Sequence, residues 1–146
     1  MAEGWACYAT DLMEEIGFLT PLERYAQVHA RLRMAARALA DVDLHRGAMT
    51  LEEAAAMYAR RVGLAQEAAH AEAVKNSMFP GTALIYMAGT EVLHRLRREL
   101  AARSPAFDLR RFHDRVLGYG SVPVALIASA VHGEYASAGS PEIRRQ

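Results

Sequence analysis

Two copies of one helix-start signal set the limits on what this chain can become. Thr20-Pro21-Leu22-Glu23 and Thr50-Leu51-Glu52-Glu53 each place a threonine three residues before a glutamate. At that spacing the hydroxyl accepts from an otherwise orphaned backbone N–H, and the carboxylate reaches back to the threonine's own N–H. Pro21 suits the first turn, where its missing donor costs nothing. Around these signals apolar residues recur every three or four positions, and β-branched residues rarely alternate. That pattern argues for helix and against sheet. Composition agrees: alanine occurs 29 times and arginine outnumbers lysine 16 to 1, both good helix formers.

The punctuation cuts the chain into helices. Trp5, Tyr8, Leu12 and Ile16 form a first apolar face that ends at Gly17. The second helix carries Tyr25, Val28, Leu32, Ala36 and Leu39 on one side. It stops near Gly47, with His45 and Arg46 at its negative end. A third presents Leu51, Ala54, Tyr58 and Val62 and is expected to run on, kinked at Gly63, to about Ser77. Pro80-Gly81 breaks the chain before a fourth helix with Ile85, Ala88, Val92, Leu96 and Leu100. Asp108 caps a short helix over 109–117, Gly118 and Gly120 end it, and an apolar helix over 122–131 follows. The expectation is an all-α helical bundle of about five to seven helices. It forms one domain over 1–132, followed by a flexible tail over 133–146.

Several function classes fall away at once. The 17 basic and 17 acidic residues balance, so no clustered excess of positive charge marks a nucleic-acid partner. No apolar run nears the ~20 residues of a membrane span, so no membrane partner is expected. The single cysteine, Cys7, rules out an intrachain disulfide framework and reads as a small buried thiol. Cytoplasm is the expected compartment. Among the six histidines there is no HExxH or HxxxH spacing, so the usual two-histidine zinc helix is absent. Glu67/His70 and Glu91/His94 each form an ExxH unit, but Pro80-Gly81 puts them on consecutive helices. Di-iron bundles need them differently arranged, so both read as solvated pairs. No GxSxG, GxxxxGK[ST] or GxGxxG motif is present, and the Arg95, Arg97, Arg98 run reads as a solvated helix face.

The order of short motifs is more informative. Glu3-Gly4-Trp5-Ala6-Cys7-Tyr8 is followed by Asp41-Val42-Asp43-Leu44-His45 and by Met49-Thr50-Leu51-Glu52-Glu53-Ala54. Then come Phe79-Pro80-Gly81-Thr82-Ala83 with Tyr86 and Gly89, Leu96-Arg97, and Phe107-Asp108-Leu109-Arg110 with Phe112-His113-Asp114. Over residues 3 to 132 this series resembles the C-terminal part of the bacterial domain-of-unknown-function 885 family. That family is similar to helical zinc metallopeptidases of the gluzincin type.

The resemblance implies a zinc-dependent peptidase in which an HExxGH-type helix supplies two histidine ligands and the general base. By the same resemblance Glu3 is the third metal ligand, leaving zinc a position for water that it makes acidic enough to attack a peptide carbonyl. Tyr86 and His45 match positions that would hold a developing oxyanion or a substrate carboxylate. Each has a plainer reading, Tyr86 as a core aromatic and His45 as a helix C-terminal cation. Lys75 and Arg97 would bind substrate; Lys75 stands where many members have arginine, Asn76 where they have tyrosine, and Met49 where many have tryptophan.

The histidine-bearing half is missing from these 146 residues. The expectation is therefore a fragment: a late-started reading frame, a split gene or a trimmed polypeptide. Zinc belongs to the full-length protein, and no cofactor is expected for this chain alone. Its partners would be a peptide substrate once complete, and the missing half or a second copy, meeting the first helix around Trp5, Tyr8 and Leu12. Whether the chain is itself an enzyme stays open, because a stand-alone helical binding or self-assembly module accepts the same fold.

Overall fold

Both threonine caps form as their spacing requires. Thr20 N donates to Glu23 Oε2 at 2.8 Å and Thr50 N to Glu53 Oε2 at 2.8 Å, while each threonine hydroxyl accepts from the glutamate N–H. A computed structural model describes residues 1–138 and contains seven α-helices and no strand among them. They are α1 (Ala2–Glu15), α2 (Pro21–His45), α3 (Leu51–Met57), α4 (Gln66–Met78), α5 (Leu84–Arg103), α6 (Leu109–Gly118) and α7 (Val124–Ala138). The Asp108 cap is present, its carboxylate accepting from Arg111 N at 2.6 Å. α7 continues past Val131 to Ala138, and the rest of the expected tail, 139–146, lies outside the described residues.

The helix expected to run from Leu51 to Ser77 is instead two helices. α3 passes into one π-helical turn, Tyr58–Val62, which ends at Gly63 with φ +79. Only glycine adopts that left-handed conformation at little cost, so the chain turns here instead of kinking. His29 on α2 lies with Nε2 2.9 Å from the Val62 carbonyl, one of the acceptors left over at the turn's end. α3 and α4 then pack face to face through Ala54, Ala69 and Ala73, all without solvent exposure. Alanine on both surfaces lets the two helix backbones approach closely, which a longer side chain would prevent.

Two apolar cores result. Tyr8, Leu93, Leu96, Leu100, Phe112, Val116, Ile127 and Val131 join α1, α5, α6 and α7. Ala36, Ala40, Met57, Tyr58, Val62 and the three alanines join α2, α3 and α4. α5 touches α1, α2 and α7 and so spans both. Trp5 and Leu12 pack against the first core beside the fully buried Tyr8. Of the three residues expected to meet a partner on α1, Tyr8 is buried within the chain, while Trp5 and Leu12 stay half-buried. Of the face expected on α2, Ala36 is buried but Tyr25, Val28, Leu32 and Leu39 point to solvent, and Leu22 beside them is exposed too.

Candidate functional site

α1 and α5 run side by side with their backbones in contact. A Cβ on Gly4 would fall 2.5 Å from the Gly89 carbonyl carbon, and one on Gly89 would fall 2.9 Å from Gly4 Cα. Thr90 Oγ1 donates to the Tyr86 carbonyl at 2.7 Å and also lies 3.3 Å from the Gly4 carbonyl oxygen. Tyr86 is one turn before Gly89 and Glu3 is next to Gly4, so this close approach brings the Glu3 carboxylate within electrostatic reach of the Tyr86 hydroxyl. The Arg37 guanidinium of α2 sits 5.7 Å from the Tyr86 ring centroid, a cation–π distance.

Arg37 is itself nearly buried and is held from behind, its Nε 2.9 Å from Glu72 Oε1 on α4. Asn76, also buried, donates to the Arg37 carbonyl at 2.8 Å and to the Tyr58 hydroxyl at 3.0 Å. Burial, with the nearby Glu72 charge second, pushes the Tyr58 hydroxyl up to about 12. Burial and then the Glu3 carboxylate likewise raise Tyr86, so its hydroxyl stays protonated at neutral pH and can donate.

His45 has other partners. Its Nδ1 is 2.7 Å from the Asp41 carbonyl and 3.0 Å from the Asp41 carboxylate, and its Nε2 is 3.2 Å from the Ser77 carbonyl. These acceptors, the Asp41 carbonyl first, raise its pKa above the ordinary 6.5. A folded-state pKa raised in this way contributes stability that is full below about pH 6.5 and is lost as pH rises through the higher folded value. We expect urea unfolding to show a loss of stability from pH 6 to 8.5 that is smaller in His45→Gln. An identical pH difference in the two proteins would contradict the assignment.

Asp41 is almost fully buried and accepts from three backbone N–H groups, Gly81 and Ala83 at 2.8 Å and Leu84 at 3.3 Å. It clamps the Pro80–Gly81 turn, and with it the start of α5, onto α2. Burial alone would raise its pKa, but these donors and His45 together hold it below 3.8.

Of the five residues singled out from sequence, Glu3 and Tyr86 come together. His45, Lys75 and Arg97 make no hydrogen bond or ion pair to either among the described residues. Lys75 is exposed. Arg97 forms a two-pronged ion pair with Glu15, at 3.0 and 2.8 Å, and its charge reaches the Tyr8 hydroxyl. The Tyr8 hydroxyl in turn lies 2.9 Å from His113 Nε2, and burial first and Arg97 second push that imidazole's pKa down. The ExxH unit on α5 is also divided: His94 bonds Asp11 at 2.8 Å, and Glu91 pairs with Arg98 at 3.0 Å. Cys7 is half-buried, and its carbonyl accepts from Arg31 at 3.0 Å.

Sequence reasoning missed Arg37, Tyr58 and Glu72. The first was detectable in principle, since Arg37, Asp41 and His45 recur at i, i+4 and i+8 and so share one face of α2.

A carboxylate suits zinc chemically, but Glu3 is one ligand. Among the described residues no three of His, Cys, Asp or Glu gather closely enough to hold a metal ion. The residues present do not complete a zinc centre.

The fold and site thus define an all-helical bundle with a carboxylate–phenol–guanidinium cluster where α1, α2 and α5 meet. The chain belongs to the bacterial family described as "Bacterial protein of unknown function (DUF885)", whose model matches residues 1–131. A solved structure described as "the putative lipoprotein from Colwellia psychrerythraea" is similar at 33% identity and a TM-score of 0.86. The likeness covers 92% of this chain and 24% of that one, so the chain spans about a quarter of that relative's length. No curated protein matches. No helix among the described residues is long and apolar enough to cross a membrane.

Proposed function

We propose that this chain is the C-terminal helical portion of a zinc-dependent peptidase, supplying one metal ligand and substrate-holding groups to a site completed by other polypeptide. The observation that carries the reading is the Glu3–Tyr86 pair. The EGWA-x-Y glutamate stands beside a protonated phenol, and the close Gly4–Gly89 approach fixes the two relative to each other. In this role Glu3 offers its carboxylate to the metal. Tyr86 donates a hydrogen bond to a substrate oxygen, and Arg37 holds the phenol ring in place from the far side. Lys75, exposed on α4, is the further substrate-binding proposal. Arg97 and His45 serve that purpose only by leaving their present partners.

The test is a chimera in which this chain replaces the matched quarter of the Colwellia relative, assayed for peptide hydrolysis. Tyr86→Phe should lower kcat by about 10²-fold, the usual cost of losing one oxyanion donor, while leaving zinc content unchanged. Unaltered turnover in that variant would sink the assignment.

A second reading, a binding or self-assembly module without catalysis, is favoured by the exposed apolar face of α2 and expects association that is indifferent to zinc. A cytoplasmic location accompanies the first reading, supported by the single cysteine in 146 residues. The relative described as a lipoprotein points instead to the cell envelope, and fractionation of the source cell separates the two.

A further inference from the structure

The first ten residues of α2 are almost unsupported. Only Gln27 and His29 among 21–30 are shielded even in part, whereas every fully buried residue of the helix lies between Ala36 and Asp41. Yet this outer stretch is not polar. Leu22 is 76% exposed, Tyr25 70%, Val28 62%, Leu32 45% and Leu39 58%. At 100° per residue the five occupy an arc of about 120° and extend over about 25 Å of helix. Phe18, 71% exposed in the turn before α2, extends the strip. A shallow groove of about 300 Å³ opens along it between Tyr25, Val28 and Arg24 on one side and Glu14 on the other.

An apolar strip of this length at helical spacing is what the surface of a lone molecule avoids and what a helix-in-groove contact needs. A smaller exposed set, Met78, Phe79, Leu84 and Ile85, lies at the α4–α5 turn near Tyr86, but it is broken by Pro80-Gly81. The length of a relative suggests the occupant. The same fold, at a TM-score of 0.86, accounts for only 24% of that chain, so a family-length molecule has about three-quarters of its length available to pack against this quarter. On α1, Tyr8 is buried and Trp5 and Leu12 are half-buried against the chain's own core, so the longest run of exposed apolar side chains is that of α2.

We propose that the outer face of α2 is the seam on which an amphipathic helix from the remaining polypeptide of a family-length molecule docks. Its apolar side chains, spaced at i, i+3 or i+4 and i+7, would lie over Tyr25, Val28 and Leu32. The inference rests on the proposed function only in placing this chain within a larger molecule; it requires neither zinc nor hydrolysis.

The experiment mixes the 146-residue chain with the Colwellia relative's polypeptide lacking its matched quarter and follows sedimentation velocity in EDTA. A one-to-one complex is expected. The triple substitution Tyr25→Asp, Val28→Asp and Leu32→Asp should weaken it by about 100-fold or more while leaving the helical circular dichroism and melting of the chain unchanged. A milder triple replacement by serine serves if the aspartate variant fails to fold. Absence of any complex, equal binding by the substituted chain, or a homodimer that the substitution dissolves would each overturn the proposal, the last by making a second copy the occupant. A complex that forms here but takes up no zinc once the EDTA is removed and zinc is supplied would leave the seam standing and remove the peptidase reading.

Discussion

Gly89→Val is expected to lower the stability of this chain by about 3 kcal/mol or more, which for a domain of this size is a melting-temperature drop of about 10 °C. The reason is the identity of the atoms in the way. A Cβ at position 89 would meet the Gly4 Cα at 2.9 Å, and main chain cannot swing aside as a flexible side chain does. α1 must therefore move off α5, dragging Tyr8 and its neighbours out of the first core and separating Glu3 from Tyr86. Gly4→Val should do the same, its Cβ falling 2.5 Å from main chain. Gly118→Ala is the control: nothing lies within 4 Å of a Cβ there, and its backbone is not left-handed, so stability should change by only about half a kcal/mol. Thermal melting of the three variants decides the matter, and a Gly89→Val protein melting within 2 °C or so of wild type would refute the account of this crossing.

The second large effect belongs to Asp41→Ala. Removing this carboxylate strips the acceptors from three backbone donors, of which Ala83 is fully buried, and takes a partner from His45. Buried donors without acceptors cost about 1–3 kcal/mol each before any relaxation, so a total of about 3–5 kcal/mol is expected. Asp41→Asn keeps one acceptor oxygen and should lose about half as much. The pH dependence carries a distinct signature. The folded-state pKa lies below 3.8, so the carboxylate contributes stability above the unfolded value that disappears as pH falls through the folded one. Wild type should therefore weaken below about pH 4 more steeply than Asp41→Asn. Equal acid sensitivity in the two would show that the clamp does not depend on charge.

Capping chemistry was readable from sequence because it is local. Thr20, Thr50 and Asp108 each act within three residues, and no distant neighbour can override a bond that closes inside one turn. Gly63 was ambiguous for the opposite reason. A glycine within an alanine-rich helical pattern is compatible with a kink or with a left-handed stop, and the choice is made by how α3 and α4 pack and by His29 reaching across from α2. The α2 pattern shows a further limit. Tyr25, Val28, Leu32, Ala36 and Leu39 form the more apolar side, yet the chain buries only Ala36 of it, together with Arg37, Ala38, Ala40 and Asp41. Periodicity reveals that a face needs covering, but not which element covers it. The same limit hid Arg37, a charged residue whose burial becomes acceptable only once Glu72 arrives from another helix. Of the site, Glu3 and Tyr86 could be named from motif order, while the glycine contact that joins them could not.

The most direct measurement of the central claim is the zinc content of the chimera after exhaustive dialysis, compared between the wild-type chain and Glu3→Gln. The account predicts about one zinc ion per molecule in the first, and a large loss in the second as a carboxylate ligand is replaced by a neutral amide. Equal zinc in both, with the fold intact by circular dichroism, would contradict the assignment of Glu3 as a ligand and with it the peptidase reading of this chain.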